Sequence, residues 1–505
     1  MSWFSFKKKL TMPKIEESEF STFSQAIEKH KQSSDFTHHQ FYTQSQKLWL
    51  SYYQPLINHI KLERQVIEPL RNGFFINLDD IIPLLHVENV KIVHSPMEMT
   101  ELLMIGAVVI QLIEESQETC LIAMLPQEEV RDVTIPEVEF SVIGPKEAFV
   151  EAIDVNINLV RKRLPTPNLI TKEYTIGTLS KTKVIIMYLD SIANNENINT
   201  MIERITTIEI ETISDSSYIN QLIEDFSNSP FPQFIDTERP DRVAAELAEG
   251  KIAVFVNGSP QVITAPTTFI EFFSSFEDYF LSWHIASAFR LIRIFAVWFS
   301  IFATPLYVAT LTYHAEIIPQ DLLATLILSR NQIPFPPILE ALFLEITIEL
   351  LREAGARLPT KVGQTIGIVG GIVIGTAAVE AGLTSNVLLI FVALAALASF
   401  TTPVYRIGNT IRLVRFPFIF AAQLWGLIGL TILFMFLLVH LLSIKSLNRP
   451  YLAPLYPLNL RDFKDAFIRM PFNFQSSRPD QLTTKRPEKF NKRKAKQKKD
   501  IDEGM

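Results

Sequence analysis

Hydropathy divides this chain into three stretches. Up to residue 280 short apolar runs alternate with polar turns. From there to 445 apolar residues continue with few charges, and the far end of the chain turns basic. A bilayer crossing needs about 20 apolar residues in a helix. Ile294 to Tyr313 carries no charge, follows Arg290 and Arg293, and contains Pro305, which membrane helices tolerate as a kink. Between Val362 and Tyr405 the only formal charge is Glu380, and the polar turn AGLTSN (381–386) splits the run in two. Phe416 to Ile444 is uncharged apart from His440 and is long enough to span with tilt. The pattern predicts at least four spans, at about 291–313, 362–381, 386–404 and 416–444.

The segment between the first two spans, 319–357, reads as helix, proline turn, helix, because Pro334, Pro336 and Pro337 interrupt any continuous helix. Its second half, Ile338 to Glu353, is amphipathic. Glu345, Glu349 and Glu353 share one face with Arg352, while Phe343, Leu344, Leu350 and Leu351 lie opposite. Two readings stand side by side. In one, an interfacial helix solvates its glutamates and pairs Glu353 with Arg357; in the other, copies of the chain surround an axis and the glutamates form cation-attracting rings. Both leave open whether 319–357 is re-entrant or lies along the surface.

Within the second span, Gly363, Gly367, Gly371 and Gly375 recur every fourth residue. No strand–turn–helix context or ribose-binding acid accompanies them, which argues against phosphate binding, and close helix packing is predicted.

The soluble part is read as a polar, mostly helical region (1–80) followed by two related α/β subdomains, 81–160 and 161–285. Two stretches carry the relation, 99–125 and 242–266. Each is a helix ending at a glycine (Gly106, Gly250), then strand, polar turn and strand, with Asn257-Gly258 a strong hairpin signal. KVIIMYLD (183–190) predicts a further strand, with a helical pattern after it. The fold class is thus an α/β cytoplasmic domain followed by an α-helical multi-span membrane domain of residues 286–445. Residues 446–505 read as a basic, disordered tail.

Charge and composition narrow the function. The net charge of −7 averages over an acidic soluble part and a basic end. A single cysteine, Cys120, rules out an intramolecular disulfide and a cysteine zinc site. The histidines are scattered, and no Walker loop, nucleophile elbow or metalloprotease helix occurs, so neither enzyme activity nor a cofactor or metal is predicted. Basic patches are confined to the tail, which argues against a nucleic-acid partner. No signal peptide precedes the soluble part, and Arg290, Arg293 and the basic run 483–499 place both ends in the cytoplasm. A four-span topology then puts Arg406, Arg412 and Arg415 in an outer loop, against the positive-inside rule.

Four runs add a family resemblance: SPFPQFIDTERPDRVAAELAEGKIAVFVNGSP, PFPPILEALFLEITIELLREAGARLP, GQTIGIVGGIVIGTAAVEAGL and ALASFTTPVYRIGNTIRLVRF. Together with GPKEAFVEAIDVNINLVRKRL they resemble, in order from about 140 to 445, the A subunits of spore germinant receptors. The resemblance implies a multi-pass protein of the spore inner membrane with its N-terminal domain in the spore core. It implies as partners a permease-like B subunit, a lipoprotein C subunit and further copies of the chain, in a pentameric ring. It also implies a nutrient-gated channel releasing monovalent cations, the alternative being a non-conducting scaffold that transduces the signal. On that reading the glycine helix lines the ring, Val373 is the candidate constriction with Thr376 below it, and Glu345, Glu349 and Glu353 draw cations to the outer mouth. Glu380 is either a conduction residue or a loop end.

Overall fold

A computed structural model describes residues 20–490, apart from 44–45, 114–118, 128–135, 137, 138, 140, 359–370 and 372. Its α/β half contains two sheets built to one plan. The first joins β1 (Phe36–Tyr42), β2 (Lys47–Tyr53), β3 (Val90–Val93), β4 (Ala107–Leu112) and β5 (Cys120–Met124) in the order β1-β2-β4-β5-β3. The second joins β6 (Leu169–Ile176), β7 (Thr182–Leu189), β8 (Ile235–Thr237), β9 (Ile252–Val256) and β10 (Val262–Ala265) in the order β6-β7-β9-β10-β8. Adding five to each label of the first order gives the second, and every neighbouring pair in both is antiparallel.

Helices cover both faces of each sheet. On the first sheet, α1 (Phe23–His30) and α2 (Pro96–Leu103) bury Phe23, Ile27, Met99 and Leu103 against Val109 and Ile122. Short helical turns between 59 and 84 bury Leu62, Val66 and Leu70 on the other face. On the second sheet, α3 (Ile153–Arg163) and α6 (Pro240–Glu249) pack over Met187 and Phe255, and α4 (Asn195–Thr206) and α5 (Ser216–Ile223) over Ile186 and Val254. The look-alike stretches occupy equivalent places. Gly106 (φ +96°) and Gly250 (φ +103°) turn α2 and α6 into β4 and β9, in a left-handed conformation that favours glycine.

Residues 20–80 are not helical throughout: β1 and β2 lie there between helical turns. Strand β2 is buried along most of its length, so KLWLSYY lacks the alternation of a half-exposed strand. Edge strand β1, FTHHQFY, is mostly polar, with only Phe36 fully buried and most of the rest half-covered. The second subdomain also begins ahead of 161, at α3. Arg161 of α3 closes the joint between subdomains: it pairs with Asp35 at 2.5 Å, donates to Ser33 at 2.9 Å and lies over the Tyr53 ring at 4.3 Å.

The helical half comprises, among the described residues, α7 (Trp283–Tyr313), α8 (Gln320–Arg330), α9 (Pro337–Arg357), a helix over 373–380, α10 (Asn386–Ser399) and α11 (Tyr405–Ser443). Residues 319–357 form the expected helix–proline turn–helix. Helix α11 corrects the expected span 416–444, because it folds back on itself at Gly426 (φ 57°, ψ −136°). Two adjacent residues of the α/β domain prove the reversal: the Pro230 carbonyl accepts a 2.5 Å bond from Thr410, and the Ser229 hydroxyl bonds His440 at 2.9 Å. A straight helix would hold positions 410 and 440 about 45 Å apart. The ring of Phe302 likewise meets both Phe418 (5.1 Å) and Phe434 (5.9 Å), which flank the turn symmetrically.

The turn is capped from α7. Tyr313 donates to the Gln423 carbonyl at 2.8 Å, and His314 Nε2 accepts from the Leu427 amide at 3.4 Å, serving backbone groups that lost their helical partners. A Cβ on Gly426 would come within 2.9 Å of His314, and one on Gly429 would collide with the Ala421 carbonyl, so the arms meet at backbone distance. Among the described residues the helices alternate in direction: α7 leads away from the α/β domain, α9 back, 373–380 away, α10 back, and the two arms of α11 away and back.

The chain beyond 446 is not a disordered tail over its described part. Leu447 enters the core of the second sheet, and Arg478 donates to the Ala248 carbonyl at 2.9 Å. Arg449 pairs with Glu196, Lys485 with Asp190 and Lys489 with Glu249. A basic segment folds onto an acidic domain because the charges are complementary, a partnership that composition alone does not reveal.

Candidate functional site

A 3.6-residue period aligns Ser300, Thr304 and Tyr307 on one buried face of α7. Helix α9 meets that face with its carboxylates. Near the outer end Glu340, fully buried, binds Arg330 at 2.9 Å and the Ser385 amide at 3.2 Å, while the Tyr307 hydroxyl reaches Ser385 at 3.0 Å. Midway, Glu345 receives Thr304 at 2.7 Å and Arg415 at 2.5 Å, and Arg415 also donates to Ser300 at 2.6 Å. Toward the α/β domain, Glu349 pairs with Arg352 at 2.7 Å and lies 3.6 Å from Arg412. A polar column thus runs through the bundle of a single chain.

The predicted glutamate stripe is therefore not one surface. Glu345 is buried and paired with Arg415, and Glu349 is half-buried in ion pairs. Of the three, Glu353 alone is open, paired with Arg357 at 2.6 Å as the i,i+4 spacing predicts. Because α9 runs back toward the α/β domain, Glu353 sits at the end of the helix nearer that domain. The physical reason lies in α11: arginines assigned to an outer loop stand beside the carboxylates in the bundle.

The 373–380 helix behaves differently. Gly375 and Ala378 face the bundle, and a Cβ on Gly375 would touch Leu389 of α10 at 3.6 Å. Val373, Thr376, Ala377 and Glu380, at i, i+3, i+4 and i+7, form an exposed stripe on the other side. Gly371 is open as well: a Cβ added there would meet nothing described within 4 Å. Gly363 and Gly367 lie outside the described residues.

Where bundle meets α/β domain, Arg406 pairs with Asp236 of β8 at 2.8 Å. Burial pushes the Asp236 carboxyl up to about 6, Arg406 opposing it, and burial likewise pushes Glu224 up to about 7. At the base of α7, Arg290 and Arg293 both reach Asp278 at 3.1 Å. Sequence reasoning missed Arg415, Arg406, Thr410, His314 and Gly426 as organising residues. Two signals pointed to them: three arginines on the wrong side of a four-span topology, and a glycine near the middle of an overlong apolar run.

These features define a class, a duplicated α/β domain carried on a bundle of apolar helices of the kind membrane proteins use. Among the described residues two helices, Trp283–Tyr313 and Tyr405–Ser443, are long and apolar enough to cross a membrane, the second being the folded hairpin. The chain belongs to the Bacillus/Clostridium GerA spore germination protein family, whose model matches residues 23–481. It is 50% identical over 478 residues to the spore germination protein GerQA of Bacillus cereus, covering 95% of this chain and 96% of that one. It is 48% identical to GerIA of the same species (92% and 70% covered) and 42% identical to spore germination protein A1 of Bacillus subtilis (68% and 72% covered). A crystal structure of the N-terminal domain of the A subunit of the Bacillus megaterium spore germinant receptor GerK3 aligns with 49% of this chain and 93% of that one, at 28% identity and a TM-score of 0.36.

Proposed function

We propose that this protein is the A subunit of a nutrient germinant receptor in the spore inner membrane, and that copies of it surround an axis to form a cation channel. One observation carries the reading: Val373 and Glu380 lie with Thr376 on one exposed face of the 373–380 helix. Apolar and small residues on such a face suit a ring in which Val373 closes the bore by dewetting. Thr376 lies one step further along, and Glu380 stands at the outer mouth, where a ring of carboxylates attracts cations. Gly375 seats this helix on α10, and Gly371 admits the neighbouring copy. Five copies follow from the family resemblance, as do a permease-like B subunit that senses the nutrient and a lipoprotein C subunit.

The alternating helix directions support a multi-pass topology with α/β domain and tail on the cytoplasmic side. Arg406 and Arg412 then lie at the inner end of α11, and the conflict with the positive-inside rule disappears. Potassium flux from liposomes holding the purified chain with its partner subunits tests the reading. Nutrient-dependent flux supports a channel; absence of flux under every activating condition leaves a non-conducting scaffold.

A further inference from the structure

Leaving the second arm of α11, the chain passes Tyr451 in the core at the base of the bundle and runs along the first turns of α7. There Asp465 pairs with Arg290 at 3.0 Å, the Arg469 carbonyl accepts from Ser287 at 3.3 Å, and Arg469 donates to the Leu281 carbonyl at 2.8 Å. Between these anchors, Leu455, Tyr456, Leu458, Leu460 and Ile468 are exposed, Leu458 and Leu460 at 69% and 73%. The neighbouring turns of α7 expose Trp283, Ile285 and Phe289. Arg461 and Lys464 have no ion-pair partner among the described residues, whereas Asp465 is engaged by Arg290 and Asp462 by the Asp480 amide.

We propose that residues 455–468 are a membrane-surface anchor, setting Leu455, Tyr456, Leu458 and Leu460 into the headgroup–acyl boundary on the α/β-domain side, with Arg461 and Lys464 on anionic headgroups. The inference rests on the bundle being embedded in a bilayer. Depth carries it: Ser287 and Arg290 precede the uncharged run from Ile294 by roughly 6–10 Å of helix axis. The headgroup layer is roughly 5–8 Å thick on each side of the hydrocarbon core. The stretch that Asp465 pins to Arg290, about 6 Å before that run, lies in that layer, where aliphatic and tyrosine side chains flanked by basic residues are at home.

The full chain in nanodiscs of phosphatidylcholine and phosphatidylglycerol tests this, with one fluorescent label per variant at Leu458→Cys, Leu460→Cys, Phe295→Cys or Phe74→Cys; the native Cys120 is buried. Shallow spin-labelled lipid is expected to quench the labels at 458, 460 and 295, and to leave the one at 74 to aqueous iodide. Arg461→Gln with Lys464→Gln should lower quenching at 458 about two-fold, as should removal of phosphatidylglycerol. Iodide quenching at 458 and 460 with lipid quenching at 295 overturns the anchor alone, and shielding from both quenchers overturns it in favour of a protein contact. Failure at 295 as well overturns the embedded bundle itself. Insensitivity to both charge changes overturns the headgroup role of Arg461 and Lys464.

Discussion

Arg415 and Glu345 meet at 2.5 Å in the interior of the helical bundle, each side chain 2% exposed. Arg415 stands ten residues into α11, about 15 Å along its axis. A buried ion pair tolerates loss of both charges better than loss of one. Arg415→Met should destabilise the folded chain by about 3–5 kcal/mol, seen as a lowered unfolding temperature in detergent. Adding Glu345→Met should restore most of the loss, and a double variant as weak as the single one would argue against the pairing.

The reversal at Gly426 predicts sidedness. Cysteines replacing Tyr405 and Lys445 should react with an impermeant reagent from the face that bears the α/β domain, and one replacing Trp425 from the opposite face. Labelling of 405 and 445 from opposite sides would restore a straight span. Gly426→Ala places a side chain at φ 57°, ψ −136° against His314 and should cost at least about 1–3 kcal/mol.

For the proposed channel, Val373→Ala should widen the constriction, so that spores lose potassium without nutrient. Glu380→Gln should leave assembly intact and lower cation preference about two- to five-fold. Normal dormancy with the first substitution, or unchanged selectivity with the second, would remove these residues from the bore.

Asp236 and Glu224 predict a pH dependence. Burial raises their folded-state values to about 6 and about 7, above the ordinary 3.8 and 4.5. The folded chain therefore keeps protons that the unfolded chain has released. This contribution to stability is complete below the unfolded values, falls as pH rises toward 7, and is flat beyond. Urea midpoints measured by circular dichroism should follow that course. Asp236→Asn should flatten its lower part and Glu224→Gln its upper part.

Much of this was legible in the sequence. The duplicated helix–glycine–hairpin unit, the proline turn before α9 and the Glu353–Arg357 pair all follow from local spacing, which backbone sterics and helix geometry impose directly. The edge strand β1 was not legible, because a half-covered edge strand of mostly polar residues has no apolar rhythm. Nor was the reversal in α11: hydropathy counts apolar residues and is blind to direction, and a glycine marks either a close contact or a turn. The fate of the glutamates depended on arginines some sixty to seventy residues away in sequence, a relation that only the tertiary structure reveals.

Ser229 and Pro230 have a mechanical consequence. Because neighbouring residues of one loop hold Thr410 and His440, the two feet of the α11 hairpin share a single handle. Any displacement of that loop moves both arms together, as a rigid lever whose far end is the tip held by Tyr313 and His314. Torque on the second subdomain is thereby delivered to the opposite end of the bundle without first separating the arms.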